Sequence, residues 1–204
     1  MRCEQTPSTD GAGAAKTALR DRVLTTRRRR PLLERQEVAR EVAEHLLASP
    51  EVRRAATVAA YVSVGSEPGT ALLLEALAAS GRRVLLPVLL PDGDLDWARH
   101  EGDQHLRPAT RGLLEPDGER LGPDAVAGAD VVLVPGLAVA PDGMRLGRGG
   151  GSYDRALARV PVGTFTCVLL HDDEVGLDVP REQHDRPVTA VVSPAGLQHL
   201  HPGG

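Results

Sequence analysis

The sequence predicts an α/β protein built on a mostly parallel β-sheet with helices on both faces. Short strands that are apolar throughout alternate with amphipathic helical segments, a pattern typical of parallel sheets buried on both sides. The 204 residues are 41% hydrophobic, which suffices for one full core. We therefore expect a single domain over residues 14–198, with a disordered leader at 1–13 and a loose tail at 199–204.

Apolar residues spaced three and four apart predict the helices, and short continuous apolar runs predict the strands. The run at 131–135 is the best candidate for a central strand, the run at 95–98 for an edge strand, and the run at 188–192 for the last strand of the chain. Helices are expected from Lys16 onward and over residues 32–47, 70–80 and 153–158, and the remaining strands over 57–62, 83–87 and 164–169.

Composition argues against several classes of protein. A net charge of −4 gives no general attraction to nucleic acid or acidic membranes. The two cysteines, Cys3 and Cys167, argue against a disulfide framework or a cysteine-based metal site. The N-terminus lacks the apolar core of a signal peptide, and no run approaches the ~20 apolar residues that span a bilayer. We expect a cytoplasmic protein, a monomer or weak dimer, with neither a membrane nor a nucleic acid as partner.

The segment Arg145–Arg155, which reads RLGRGGGSYDR, carries the most chemical information. Glycines allow positive φ and let backbone N–H groups approach a ligand, while arginines offer paired donors to phosphate oxygens. A helix that begins near Ser152 would point free N–H groups at the same place, and Asp154 in its first turn could hold a hard cation. The segment therefore predicts a site for a nucleoside triphosphate with magnesium. It matches neither Walker A nor GxGxxG, so a plain turn is the alternative.

Further motifs, in order along the chain, resemble the 5-formyltetrahydrofolate cyclo-ligase family. The glycine segment continues a run that begins with PGLA at 135–138 and passes through Gly143. Lys16 and Arg20 match the family's N-terminal Lys-x-x-x-Arg. The other matches are SVGSE at 63–67 followed by Thr70, GLLEP at 112–116, and His184-Asp185. The resemblance extends over residues 16–192.

This resemblance implies a three-layer α/β sandwich of the NagB/RpiA/CoA-transferase-like kind and an ATP-dependent ring closure with Mg²⁺. In that reaction the γ-phosphoryl group of ATP moves to the formyl oxygen of 5-formyltetrahydrofolate. N10 then attacks the activated carbon, and phosphate leaves to give 5,10-methenyltetrahydrofolate. No nucleophilic side chain is required, because phosphoryl transfer depends mainly on positioning and charge neutralisation.

The resemblance also assigns the site residues. Arg145, Arg148 and Tyr153 are the expected catalytic residues, and Asp154 and Asp185 the expected magnesium ligands. ATP binding is expected from Lys16, Arg20, Arg145, Leu146, Gly147, Arg148, Gly149, Gly150, Gly151, Ser152 and Tyr153, and folate binding from Val62, Glu67, Arg148, Ser152 and Tyr153.

Several of these positions also have plain structural interpretations. Lys16 and Arg20 could form a solvated helix face, and Glu67 could be a surface loop charge. The RRRR run at 27–30 is expected to be a solvated helix end, with RNA or a polyglutamate tail as the alternative. The HDDE run at 171–174 is expected to be a polar turn rather than a metal site.

Two residues depart from the family pattern, since Ser152 and Val139 stand where the family usually has aromatic residues. A serine at 152 can cap a helix but supplies no stacking wall for folate. Two other functions therefore stay open. One is a non-catalytic family member that binds nucleotide or RNA. The other is an isomerase or acyl-group transferase that acts without ATP and uses Glu67 or Glu115 as base or nucleophile.

Overall fold

The computed structural model describes residues 9–201, and its centre is a β-sheet. The helices are α1 Thr9–Arg28, α2 Leu32–Ala48, α3 Pro50–Arg54, α4 Ala71–Ala79 and α5 Ser152–Arg159. The strands are β1 Thr57–Ala59, β2 Arg83–Leu89, β3 Leu95–Arg99, β4 Leu106–Pro108, β5 Leu114–Pro116, β6 Val131–Pro135, β7 Ala138–Val139, β8 Arg145–Leu146, β9 Phe165–Leu169, β10 Ala190–Ser193 and β11 Gly196–His199.

Seven strands form the main sheet in the order β11–β10–β9–β6–β1–β2–β3. The five inner strands are parallel, and the two edge strands β3 and β11 are antiparallel to their neighbours. The predicted mostly parallel sheet, with β6 at its centre and β3 at an edge, is confirmed. The expectation that residues 188–192 form the last strand is wrong, because the chain turns back at 194–195 to add β11. That strand reads GLQH and has no apolar run to reveal it.

Helices cover both faces of the sheet, which gives three layers. On one face, α2 and α4 bury a leucine- and valine-rich surface that includes Leu46 and Leu77. On the other face, α5 packs through Leu157 in a cluster that also holds the fully buried Trp97. Val139, where the resemblance leads us to expect an aromatic residue, lies fully buried in this second cluster.

The first helix packs at the carboxyl ends of the strands. Leu19 and Val23 of α1 contact a small cluster around the β7–β8 hairpin, and this places α1 beside the glycine segment. The helix begins at Thr9, so residues 9–13 of the predicted leader are helical, whereas residues 1–8 and Cys3 lie outside the described residues. The predicted tail overlaps β11, which ends at His199, and residues 202–204 also lie outside.

The expectation of a solvated helix end at residues 27–30 is wrong for Arg27, which is fully buried. Its Nε and Nη2 donate to the two carboxylate oxygens of Glu174 at 2.7 and 2.6 Å, and Nη2 also donates to the carbonyl of Gly136 at 2.7 Å. A buried guanidinium needs such partners to offset its lost hydration. The turn at 171–174 therefore has a buried structural role as the partner of Arg27.

Among the helices of the described residues, none is long and apolar enough to cross a bilayer.

Candidate active site

A cavity of about 460 Å³ opens at the carboxyl ends of β1 and β6. Its walls come from α1, the loop after β1, the β4–β5 hairpin, the glycine segment and the loop around Asp185. In parallel sheets this edge is where ligands gather. Every residue that the sequence analysis assigned to ATP, folate or magnesium lines this cavity: Lys16, Arg20, Val62, Glu67, Arg145, Leu146, Gly147, Arg148, Gly149, Gly150, Gly151, Ser152, Tyr153, Asp154 and Asp185.

The cavity has two chemically different parts. We call the part formed by Lys16, Arg20, residues 145–151, Asp154, Glu182 and Asp185 the charged half. The apolar half is formed by Val62, Pro87, Leu89, Leu95, Leu113 and Leu114.

The glycine segment needs its glycines at two positions. Gly149 has φ +96° and Gly151 has φ +67°, a region that other residues rarely adopt. Gly151 occupies the N-cap position of α5, so the expectation that Ser152 caps the helix is wrong. The Ser152 hydroxyl instead donates to the carbonyl of Gly93 at 2.6 Å, and Arg155 donates to the same carbonyl. These contacts fasten the segment to the turn between β2 and β3.

Lys16 is held in the charged half by two carboxylates. Its ammonium donates at 2.6 Å to Glu182 Oε2 and at 2.6 Å to Asp185 Oδ2, and the side chain is only 4% exposed. The alternative of a solvated face is therefore wrong for Lys16. Neighbouring Arg20 donates from Nε to the carbonyl of Gly147 at 2.9 Å. One turn of α1 thus places both cations on the cavity wall, and Arg20 contacts the glycine segment.

Arg145 and Asp154 form a second buried ion pair in the charged half. Arg145 Nη2 donates to Asp154 Oδ1 at 2.7 Å, and the arginine side chain is 2% exposed. The Nε of Arg145 is buried and has no hydrogen-bond partner among the described residues. Asp154 also accepts the backbone N–H of Arg186 at 3.2 Å, which places it beside the residue that follows Asp185.

Glu67 bridges the charged and apolar halves. Its Oε2 accepts the backbone N–H of Val64 at 2.8 Å, and its Oε1 accepts Arg148 Nε at 3.0 Å. The glutamate side chain is 7% exposed, whereas that of Arg148 is half exposed. Glu67 is therefore a shielded acceptor at the cavity wall rather than a surface loop charge.

Two tyrosines line the cavity, and only Tyr153 was predicted to do so. Burial, together with the nearby Glu67 carboxylate, raises the pKa of Tyr153 above its ordinary value, so the phenol stays a hydrogen-bond donor at neutral pH. Burial likewise raises the pKa of Tyr61, whose hydroxyl has no partner among the described residues. Tyr61 directly precedes Val62, a predicted site residue, and the chain has only two tyrosines. This position and scarcity are the signals that could have indicated Tyr61 as a cavity residue.

An acidic group lies at the edge of the charged half. Glu182, His184 and Asp185 each offer one ligand atom, and these atoms lie within 4.8 Å of one another. Asp154 is not a member of this group. Glu182 was missed by the sequence analysis, although it lies only three residues before the Asp185 that the family motif indicated.

The β4–β5 hairpin supplies one wall of the apolar half. Glu115 fastens the hairpin to β2, since its Oε1 accepts the backbone N–H of Leu89 at 3.0 Å. Glu115 therefore has a structural role in holding the hairpin, and this role explains its position without the base function of the alternative isomerase mechanism. The hairpin was missed because each of its strands has only three residues.

The fold and the cavity define an α/β protein with a candidate active site at the carboxyl ends of parallel strands. A sequence model of the 5-formyltetrahydrofolate cyclo-ligase family matches residues 12–194. A 5-formyltetrahydrofolate cyclo-ligase of Mycolicibacterium smegmatis is 43% identical over 143 residues, which cover 68% of this chain and 73% of that protein. The Escherichia coli cyclo-ligase is 34% identical over 178 residues, which cover 82% and 95%.

Solved structures agree with these sequence relatives. The NMR structure of Aquifex aeolicus 5,10-methenyltetrahydrofolate synthetase superposes with a TM-score of 0.79 at 28% identity, covering 93% of this chain and 94% of that one. The Mycoplasma pneumoniae synthetase superposes with a TM-score of 0.70 at 20% identity, covering 88% and 98%, and shows the shared fold. The chain belongs to the 5-formyltetrahydrofolate cyclo-ligase family, as its motifs indicated, and is a ligase of folate one-carbon metabolism.

Proposed function

We propose that this chain converts 5-formyltetrahydrofolate to 5,10-methenyltetrahydrofolate and that it uses ATP to do so. The observation that carries the proposal is the division of one cavity into a charged half, to which the glycine segment contributes, and an apolar half. Such a cavity can hold a triphosphate and a ring system side by side. Family membership supplies the substrate class.

ATP is needed because the formyl oxygen is a poor leaving group as hydroxide and a good one as phosphate. The γ-phosphoryl group of ATP moves to the formyl oxygen, and ADP is the leaving group. N10 of the folate attacks the formyl carbon and loses its proton, and phosphate then departs with the oxygen. This chemistry asks the protein for alignment and charge neutralisation rather than a nucleophile, and that matches the side chains of the charged half.

The charged half would bind the triphosphate. Backbone N–H groups of 147–151 and the cations Lys16, Arg20, Arg145 and Arg148 would bind its oxygens. The unpartnered Nε of Arg145 is a donor that a phosphate oxygen could use. Because Lys16 and Arg145 are already held by carboxylates, they need little reorganisation when charge develops in the transition state.

The apolar half would bind the reduced folate. The Glu67 carboxylate is an acceptor for pterin N–H groups, and Val62 supplies part of the apolar wall. Tyr153 lies in the glycine segment with a phenol that stays protonated, so it can donate a hydrogen bond to a reacting oxygen. Ser152 contributes little wall, because its hydroxyl is bound to Gly93.

Magnesium fits the oxygen ligands that the charged half offers. Asp154 and Asp185 would hold the ion, with Glu182 as a third carboxylate, and hard Mg²⁺ prefers such oxygen ligands. When bound, Mg²⁺ would neutralise charge on the phosphates. His184 is a poorer ligand for this ion.

The test is near-UV absorbance of the methenyl product with 5-formyltetrahydrofolate, ATP and Mg²⁺. We expect the signal to grow only when all three are present and to fall by about 10²- to 10³-fold in Arg145→Ala. Arg40→Ala on the exposed face of α2 is the matched control, since its guanidinium pairs, among the described residues, with neighbouring glutamates of the same helix. A flat trace from folded wild-type protein that still binds ATP would contradict the proposal.

A further inference from the structure

Five lysine and arginine residues line the cavity, and four of them are held by partners within the protein. Lys16, Arg145 and Arg148 pair with carboxylates, and Arg20 donates to a backbone carbonyl. The fifth is Arg111, which makes no hydrogen bond or ion pair with any side chain or carbonyl that the structure describes. Among the described residues, Arg111 is therefore the lysine or arginine of the cavity with every side-chain donor free for a ligand.

Arg111 sits at the tip of the β4–β5 hairpin, at the rim of the apolar half. Its backbone has φ +60° and ψ +21°, and it is the non-glycine residue with positive φ in the described chain. The turn is closed by the N–H of Ala109, which donates to the carbonyl of Leu113 at 2.9 Å, and by the N–H of Leu113, which donates to Thr110 at 3.1 Å. An arginine rarely adopts this conformation, and here it lies two residues from the apolar wall.

The neighbours of Arg111 indicate the shape of its ligand. Leu113 and Leu114 offer an apolar surface for a flat ring. A guanidinium offers two parallel donors that match a carboxylate. A molecule with a ring system in the apolar half and a carboxylate at its outer end would satisfy both features.

We propose that Arg111 binds a carboxylate of the glutamate tail of the folate substrate. This inference rests on the proposed function, because it assumes that the apolar half holds the folate ring. Arg111 is then a specificity-determining residue that favours glutamate-bearing folates over those without the tail. It takes no part in phosphoryl transfer, which occurs in the charged half.

The contribution of Arg111 to binding is moderate because its side chain is exposed and its charge is screened by solvent. A charge-assisted hydrogen bond in such a place corresponds to about a tenfold change in affinity. The effect should appear in the KM for folate, shrink as salt rises, and leave kcat and the KM for ATP unchanged.

The test compares Arg111→Gly with wild type on two substrates, 5-formyltetrahydrofolate and 5-formyltetrahydropteroate, which lacks the glutamate. Glycine keeps the positive φ of the turn, so the variant removes the guanidinium without straining the hairpin. Arg107→Ala is the matched control. Arg107 lies on the same hairpin, is exposed, and pairs with Asp117 rather than lining the cavity.

We expect Arg111→Gly to raise the KM for 5-formyltetrahydrofolate about tenfold and to leave that for the pteroate unchanged, while Arg107→Ala changes neither. An equal rise for both substrates, no rise for either, or a rise in the KM for ATP would overturn the proposal. If wild type forms no methenyl product, the proposed function fails instead. Equilibrium dialysis of the two folates against wild type and Arg111→Gly would then test the Arg111 inference without turnover.

Discussion

The charged and apolar halves of the cavity are organised in different ways. In the charged half, Lys16 and Arg145 are set by short ion pairs to Asp185 and Asp154 before any ligand arrives. In the apolar half, the wall depends on packing and on one backbone contact, from Leu89 to Glu115. Buried charges must be paired to be tolerated, whereas an apolar wall needs only shape. We therefore expect substitutions in the charged half to act on catalysis and those in the apolar half on binding.

The largest expected effect comes from breaking the charged half at Lys16. Lys16→Met removes the shared partner of Glu182 and Asp185, so two carboxylates lose their counter-ion at the predicted phosphate site. We expect kcat/KM for ATP to fall by about 10²- to 10³-fold, with folate affinity unchanged. Steady-state kinetics with ATP varied at saturating folate measure this.

Arg22→Met is the control for Lys16→Met. Arg22 lies on the same helix but is exposed and does not line the cavity. An equal loss of activity in both variants would mean that the helix, rather than the Lys16 charge, matters.

A smaller effect should follow from removing apolar wall with Leu113→Ala. The side chain is partly buried against the cavity. Its truncation removes apolar surface that the folate ring would otherwise contact. We expect about a tenfold rise in KM for the folate with the KM for ATP unchanged. Leu121→Ala, a half-exposed leucine away from the cavity, should alter neither. A loss confined to kcat would count against the separation of the two halves.

A third effect concerns His171, which lies under the Glu67 loop. Its Nε2 is 3.3 Å from the carbonyl of Ser66, and its backbone N–H donates to Glu174 Oε2. Burial lowers the pKa of His171 below 6.5, so the unfolded chain takes up a proton at a pH where the folded protein does not. The neutral, buried His171 therefore contributes fully to the free energy of unfolding above about pH 6.5, and this contribution is lost as the pH falls below that value.

Urea unfolding between pH 8 and pH 5 measures the effect of His171. We expect His171→Gln to flatten the decline in the free energy of unfolding below pH 6.5. His100, whose pKa burial also lowers, should contribute a remainder. Parallel curves for wild type and His171→Gln would show that His171 does not carry the acid sensitivity.

The smallest effect on activity is expected at Ser152, a residue of the glycine segment that lines the cavity. Ser152→Ala removes the hydrogen bond to Gly93 and should cost about 0.5 to 1.5 kcal/mol in the free energy of unfolding. Arg155 holds the same carbonyl, so the glycine segment keeps its place and kcat changes little. Ser152→Thr retains the hydroxyl and is the control. A large fall in kcat in Ser152→Ala alone would give Ser152 a direct role in the reaction.

Much of the fold could be predicted because its signals are local. Apolar runs revealed the inner strands, and three- and four-residue spacing revealed α2 and α4. The short strands β4, β5 and β11 carry no such signal, because their pairing partners rather than their composition make them strands. Ser49, which is followed by Pro50 and Glu51, was not predicted to begin a further helix, yet its hydroxyl accepts the N–H of Val52 as the N-cap of α3.

The glycine segment and its neighbouring motifs could be recognised from the sequence, because each is a run of adjacent residues, including the glycines that adopt positive φ. The tertiary structure alone decided which charges meet. Lys16 and Asp185 lie 169 residues apart, and Arg27 and Glu174 lie 147 residues apart. No local pattern marks such partners. The two members of each pair lie together because folding buries both of them. A buried charge is stable only when an opposite charge or a hydrogen-bond partner lies beside it.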